Sequence, residues 1–123
     1  KLVRLAGGDQ IHCGAIGGKL YESDSEVLEN AKICLDKMGN LRQAMPVNSG
    51  RQWAGTVPQS LKAFGHNDYL HLFGGGIFGH PGGAQAGAKS VIQAYEASKQ
   101  GVPLEDYAKR NSELKQALAA FGK

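Results

Sequence analysis

The feature that most limits how this chain can fold is a pattern that occurs three times. A short apolar run opens onto glycine, and a stretch with helical spacing follows. The runs are residues 10–13, 44–48 and 69–73, and they open onto glycine loop 14–18, Ser49-Gly50 and Gly74-Gly75-Gly76. Behind the first loop, Ser23 and Glu26 form an S-x-x-E capping box. Val27, Ala31, Cys34 and Met38 then recur on one face, which predicts a helix running to about Met38 and stopping at Gly39-Asn40. The second helix is predicted from Val57-Pro58 to Phe64, with proline near its first position and Gly65 behind it. The third is predicted over 84–99, after Gly79-His80-Pro81, with Ala88, Val91, Ile92 and Tyr95 facing inward and Gly101 at its end. Two short helices follow, over 104–109 and 112–121. Strand, loop and helix in this order mean βα units, a parallel sheet and the α/β class. The units could form a small doubly wound sheet or part of a (β/α)8 barrel. A whole barrel takes about 250 residues, so these 123 residues could supply only part of one.

Composition narrows the function classes. Eighteen residues are glycine, about twice the share expected from an average near 7%. They cluster beside the strand-like runs, as expected where backbone approaches a ligand closely. A net charge of +3, from 14 basic and 11 acidic residues mixed along the chain, is too small and dispersed for a nucleic-acid footprint. No apolar run approaches the roughly 20 residues of a membrane span. Cys13 and Cys34 have neither metal nor redox spacing and read as two free buried thiols of a cytoplasmic protein. Lys1 is preceded by no methionine or leader, so the chain is expected to be processed or cut from something longer.

The candidate chemistry lies in the loops at the carboxyl ends of the strands, where ligands of parallel α/β sheets bind. Gly18-Lys19 looks at first like a phosphate loop. That motif needs glycine five residues before Gly18 and a hydroxyl after the lysine. Cys13 and Leu20 stand there instead. Gly74-Gly-Gly-Ile-Phe-Gly79 matches G-x-G-x-x-G literally, but no acidic residue follows at a ribose-binding position. Backbone amides at Ser49-Gly50 and Gly74-Gly75 could instead receive an anion, or the glycines could merely fit tight turns. His12 is either a packed residue or a ligand contact. Lys19 either sits on the surface in water or swings over a bound anion. His66 and His71 read as structural, and His80 as shaping the turn before Pro81.

Three motifs together are recognisable. Gly7-Gly-Asp-Gln-Ile-His12-x-Gly14-x-x-x-Gly18-Lys19-Leu20 resembles the sixth strand and loop of the RuBisCO large chain. Pro46-Val-x-Ser49-Gly50, with Pro58 nine residues after the serine, resembles its seventh. Phe73-Gly74-Gly75-Gly76-x-x-Gly79-His80-Pro81-x-Gly83, followed by Ala86-Gly87-Ala88, resembles its eighth strand and the next helix. Gly101-Val-Pro-Leu-Glu-Asp-Tyr-Ala108 resembles the end of archaeal RuBisCOs and RuBisCO-like proteins. The resemblance implies that residues 1–123 are the last three βα units of a TIM barrel, followed by short helices, with an N-terminal domain and five units absent.

The resemblance also implies roles. His12 contacts one phosphate of a phosphorylated sugar, and Ser49 hydrogen-bonds the substrate at Ser49-Gly50. The amides of Gly74 and Gly75 bind the other phosphate, and Lys19 is the catalytic lysine of a mobile loop. The family's Mg2+ site, a carbamylated lysine with an Asp and a Glu, and a second catalytic lysine fall outside this chain, so residues 1–123 alone are expected to be inactive. The whole protein is expected to act through an enediolate on a phosphorylated ketose or sugar acid, by enolisation, isomerisation or decarboxylation, as a homodimer or larger oligomer. Departures favour a RuBisCO-like protein over a true carboxylase. Arg51 replaces a second glycine, Ala54-Gly55 follows, and Ala15-Ile16-Gly17 replaces Thr-Val-Val. The alternatives are a carboxylase and a non-catalytic phosphate-binding or assembly module.

Overall fold

A computed structural model describes residues 1–17 and 21–122. Its elements run α1 (Leu2–Leu5), β1 (Gln10–Gly14), α2 (Asp24–Leu35), β2 (Met45–Ser49), a 3-10 turn (Ala54–Thr56), α3 (Val57–Phe64), β3 (Leu70–Leu72), α4 (Gly75–Phe78), α5 (Gly83–Gln100), α6 (Leu104–Ala108) and α7 (Ser112–Phe121). The strands form one parallel sheet in the order β1-β2-β3. His12 pairs with Val47 and Gly14 with Asn48, so Cys13 is an extra residue in the ladder. Such a bulge bends the strand just before its glycine loop. Asn48 pairs with His71 and Ser49 with Leu72.

A strand order without reversal has a topological consequence. Right-handed crossovers between successive parallel strands put every connecting helix on the same face. Side chains show which face that is. Ile11 and Cys13 pack with Val27, Ala31 and Cys34 of α2. Asn48 bonds Ser60 of α3, and His71 bonds Tyr95 of α5. The alternate residues, among them His12, Val47, Ser49, Leu70 and Leu72, therefore share the opposite face. Met45 (39% exposed) and Leu72 (49%) leave that face open to solvent.

The capping box forms as expected, with the Ser23 hydroxyl accepting from the Glu26 amide at 3.3 Å and the Glu26 carboxylate accepting from the Ser23 amide at 2.7 Å. The helix behind it stops at Leu35, three residues before the expected Met38. The unexpected α1 explains the early stop. Its Arg4, 4% exposed, donates to Ile33 O (2.7 Å), Asp36 O (2.9 Å) and Arg42 O (3.1 Å). Carbonyls that would otherwise end unpaired are satisfied by that guanidinium. Met38 lies outside the helix and bridges to Leu41.

The third helix, α5, also corrects an expectation. Ile92 is 58% exposed, while Gly87, Ser90, Val91, Ala94 and Ala97 face inward. Close helix packing selected small residues there: a Cβ on Gly87 would come within 2.7 Å of Ile77 Cα in α4. Ala94 and Ala97 join Leu104, Ala108, Leu114 and Ala117 in a core that fastens α6 and α7 to α5. The triple glycine is not all loop: Gly75 and Gly76 begin α4.

Candidate functional site at the carboxyl ends of the strands

The ends of all three strands lie side by side at one edge of the sheet, and hydrogen bonds tie their loops together. His12 Nε2 donates to Ser49 O at 3.1 Å, joining the first two strand ends and leaving Nδ1 uncommitted by that bond. Asn48 is fully buried. Its Oδ1 accepts from the Ile16 amide (3.0 Å), and its Nδ2 donates to Ser60 Oγ (3.1 Å). Gln52 Nε2 donates to Ile16 O (3.1 Å) and Gly50 O (3.0 Å). The loop after β1 is fixed through residue 17, where the Gly17 amide donates to Asp24 Oδ1 (2.9 Å) and Gln59 Nε2 donates to Asp24 Oδ2 (3.1 Å). Lys19 and its neighbours Gly18 and Leu20 lie outside the described residues.

Behind this rim lies a polar network that the sequence did not signal. Gln52 Oε1 accepts from Thr56 Oγ1 and from His71 Nε2, both at 2.8 Å. The Gln52 NH2 already serves two carbonyls, so its oxygen can only accept. That assigns His71 as the Nε2–H tautomer, with Nδ1 accepting from Tyr95 OH at 2.8 Å. Burial holds the His71 imidazole down to about 4, so the ring is neutral at pH 7. His71 is structural, as expected, but it has partners that the sequence did not reveal. His80 shapes its turn as expected: Nδ1 accepts from the Gly82 amide (3.0 Å) and Nε2 donates to Glu113 O (3.0 Å). Cys13 and Cys34 are free and buried with sulfurs 3.7 Å apart, and burial pushes the Cys13 thiol up to about 11.

The glycines after β3 separate into two kinds. A Cβ on Gly76 would lie 2.6 Å from Trp53 Cα, so packing alone demands glycine there. Gly74 and Gly75 are exposed, and a Cβ on either would meet nothing within 4 Å. Neither has a positive φ. Their lack of side chains has no cause in the packing of the described residues. At the end of β2, Gly50 (φ 116°) precedes Arg51 (φ 52°), the one non-glycine with positive φ among the described residues. That conformation costs an L-residue about 1–2 kcal/mol. The departure from glycine at Arg51 is visible in the sequence; its strained backbone is not.

Among the described residues, no group of three or more His, Cys, Asp and Glu is placed to hold a metal ion. The donor set for Mg2+ is therefore not found in the described part of this chain. No described helix is long and apolar enough to cross a membrane.

The family described as ribulose bisphosphate carboxylase large chain, catalytic domain, matches residues 1–121. The chain belongs to that family. It is 45% identical over 123 residues to a ribulose bisphosphate carboxylase-like protein of Allochromatium vinosum, covering all of this chain and 27% of that protein. It is 41% identical over 122 residues to a ribulose bisphosphate carboxylase of Pyrococcus furiosus, covering 99% of this chain and 29% of that one. A solved rubisco-like protein from Burkholderia fungorum superposes with a TM-score of 0.87 at 43% identity, over 98% of this chain and 30% of that one. A dimeric archaeal Rubisco from Hyperthermus butylicus superposes with a TM-score of 0.81 at 33% identity, over 98% and 31%. The chain thus spans less than a third of the length of these RuBisCO-family relatives.

Proposed function

We propose that this chain is the phosphate-holding part of a RuBisCO-like active site, built on the last three βα units of a (β/α)8 barrel. In this reading the whole protein acts on a phosphorylated ketose or sugar acid through an enediolate. The observation that carries it is the exposed pair Gly74 and Gly75, beside Ser49-Gly50 and His12 at one sheet edge, with no packing reason to be glycine. Missing side chains let a phosphate approach the amides directly. The one-sided helix layer supports a barrel segment over a doubly wound sheet, which carries helices on both faces.

This chain's residues then do binding work. The Gly74 and Gly75 amides hold one phosphate, and His12 holds the other, oriented by its bond to Ser49 O. Ser49 and Gly50 position the sugar between them. Lys19 covers the reacting carbons and excludes water. The metal that the family resemblance implies has no donor set among the described residues, so no step is assigned to it here. The homo-oligomer is likewise proposed, from the dimeric archaeal Rubisco relative. Arg51 and Ala15-Ile16-Gly17 favour a RuBisCO-like protein over a carboxylase.

The test is Lys19→Ala in the whole protein, assayed by exchange of solvent hydrogen at the carbon beside the carbonyl of a ketose bisphosphate. Exchange should fall at least a hundredfold with substrate affinity changed severalfold at most, the signature of an interaction made in the transition state. Residues 1–123 alone should catalyse none. Unchanged exchange in the variant would return Lys19 to the solvated surface.

A further inference from the structure

We propose that Arg51 is a specificity-determining residue of this site, presenting its guanidinium to the phosphate held by Gly74 and Gly75 after β3. The inference rests on the phosphate reading above and adds a residue that the family motif, with glycine here, does not supply. Four observations carry it. First, Arg51 is held at φ 52°, where glycine would sit without strain. Strain of this kind persists only where the surroundings over-determine the backbone, and it marks functional positions. Second, the over-determination is visible next door: Gln52, 1% exposed, is fixed by bonds to Ile16 O, Gly50 O, Thr56 Oγ1 and His71 Nε2, so the turn cannot relax.

Third, the described residues make no use of the Arg51 side chain. It is exposed and makes no hydrogen bond or ion pair among the described residues. Fourth, the backbone of Arg51 stands between Gly50, at the end of β2, and the segment packed against the glycines that follow β3. Gly50 precedes it, and Gly76 rests on the Gln52–Trp53 backbone that follows it. A residue kept against its backbone preference, with a cation unpartnered among the described residues, is explained by what the cation binds. Guanidinium suits phosphate because its planar fork can donate two parallel hydrogen bonds.

The experiment uses the whole protein, inorganic phosphate as the probe, titration calorimetry at fixed low ionic strength, and thermal midpoints without phosphate. Arg51→Gly removes the cation and the strain together. Its midpoint should equal or exceed that of the unaltered protein, while phosphate binds at least tenfold more weakly. Arg51→Lys keeps the charge without the fork and should recover part of the affinity. Phosphate affinity within twofold of normal in Arg51→Gly overturns the assignment and leaves the glycine-amide reading standing. A lowered midpoint overturns it as well, because the side chain would then be supporting the fold. If the unaltered protein binds no phosphate, the assignment falls together with the reading beneath it.

Discussion

His71 should make the fold sensitive to mild acid, and the direction follows from its surroundings. The ring is held between Gln52 Oε1 and Tyr95 OH, each at 2.8 Å, with Phe73 4.1 Å and Tyr69 5.8 Å away between ring centres. None of these neighbours carries a negative charge to compensate an imidazolium. Burial lowers the group from 6.5 to about 4. Between those values the unfolded chain takes up a proton that the native ring refuses, so stability is complete above pH 6.5 and declines as pH falls toward 4. At 1.36 kcal/mol per unit, the full shift corresponds to roughly 3.4 kcal/mol. Partial solvent access to the ring reduces this to about 1–2 kcal/mol. Urea unfolding of the whole protein at pH 7.5 and 4.5 measures it, with His71→Gln as the non-titrating reference that keeps an amide donor. The unaltered protein should lose about 1–2 kcal/mol more than the variant over that interval. Parallel pH profiles for the two proteins would refute the reasoning, as would NMR evidence of a proton on Nδ1 at pH 7.

Four further substitutions test local contacts. Gly76→Ala should destabilise by about 1–3 kcal/mol, because the new Cβ meets the Trp53 backbone rather than a side-chain tip; Gly74→Ala, in open space, should leave the urea midpoint nearly unchanged while weakening phosphate binding. Arg4→Met should cost about 2–3 kcal/mol, since it strands carbonyls of Ile33, Asp36 and Arg42 that now accept from a charged donor, and circular dichroism should show the end of α2 fraying. Glu113, held down to about 2 chiefly by Lys89 at 2.6 Å and then Gln93 at 2.9 Å, contributes stability that is present above pH 4.5 and lost as pH falls toward 2. Lys89→Met should flatten that acid limb of the unfolding profile.

What the sequence made legible was whatever local chemistry decides. The Ser23–Glu26 box, Pro58 at the start of α3 and the glycine stops at 65 and 101 act within one turn of helix, and all four features occur as read. The parallel sheet followed from the alternation of strand and helix. Illegible features depend on contacts remote in sequence. The length of α2 is set by Arg4, which reaches 29 residues ahead to Ile33. The inward face of α5 is chosen by how closely Ile77 approaches Gly87, which hydrophobic periodicity cannot register; hence the misplaced Ile92. His71 lacked partners in the sequence because they stand at Gln52 and Tyr95, 19 and 24 residues away.

The same distinction governs the candidate site. The run Gly74-Gly-Gly76 gave no means of telling a packing glycine from a binding glycine, because both are written with one letter. Only the distance to Trp53 separates Gly76, where the backbone of the chain itself occupies the space, from Gly74 and Gly75, where nothing within 4 Å does. Arg51 is the converse case. Its backbone has a reason to be glycine and its side chain has no partner among the described residues. Space without a packing reason at Gly74 and Gly75, and strain without a packing benefit at Arg51, meet at the ends of adjacent strands. In the reading proposed above, a bound oxyanion accounts for both: it fills the space at the glycine amides and gives the guanidinium its missing partner.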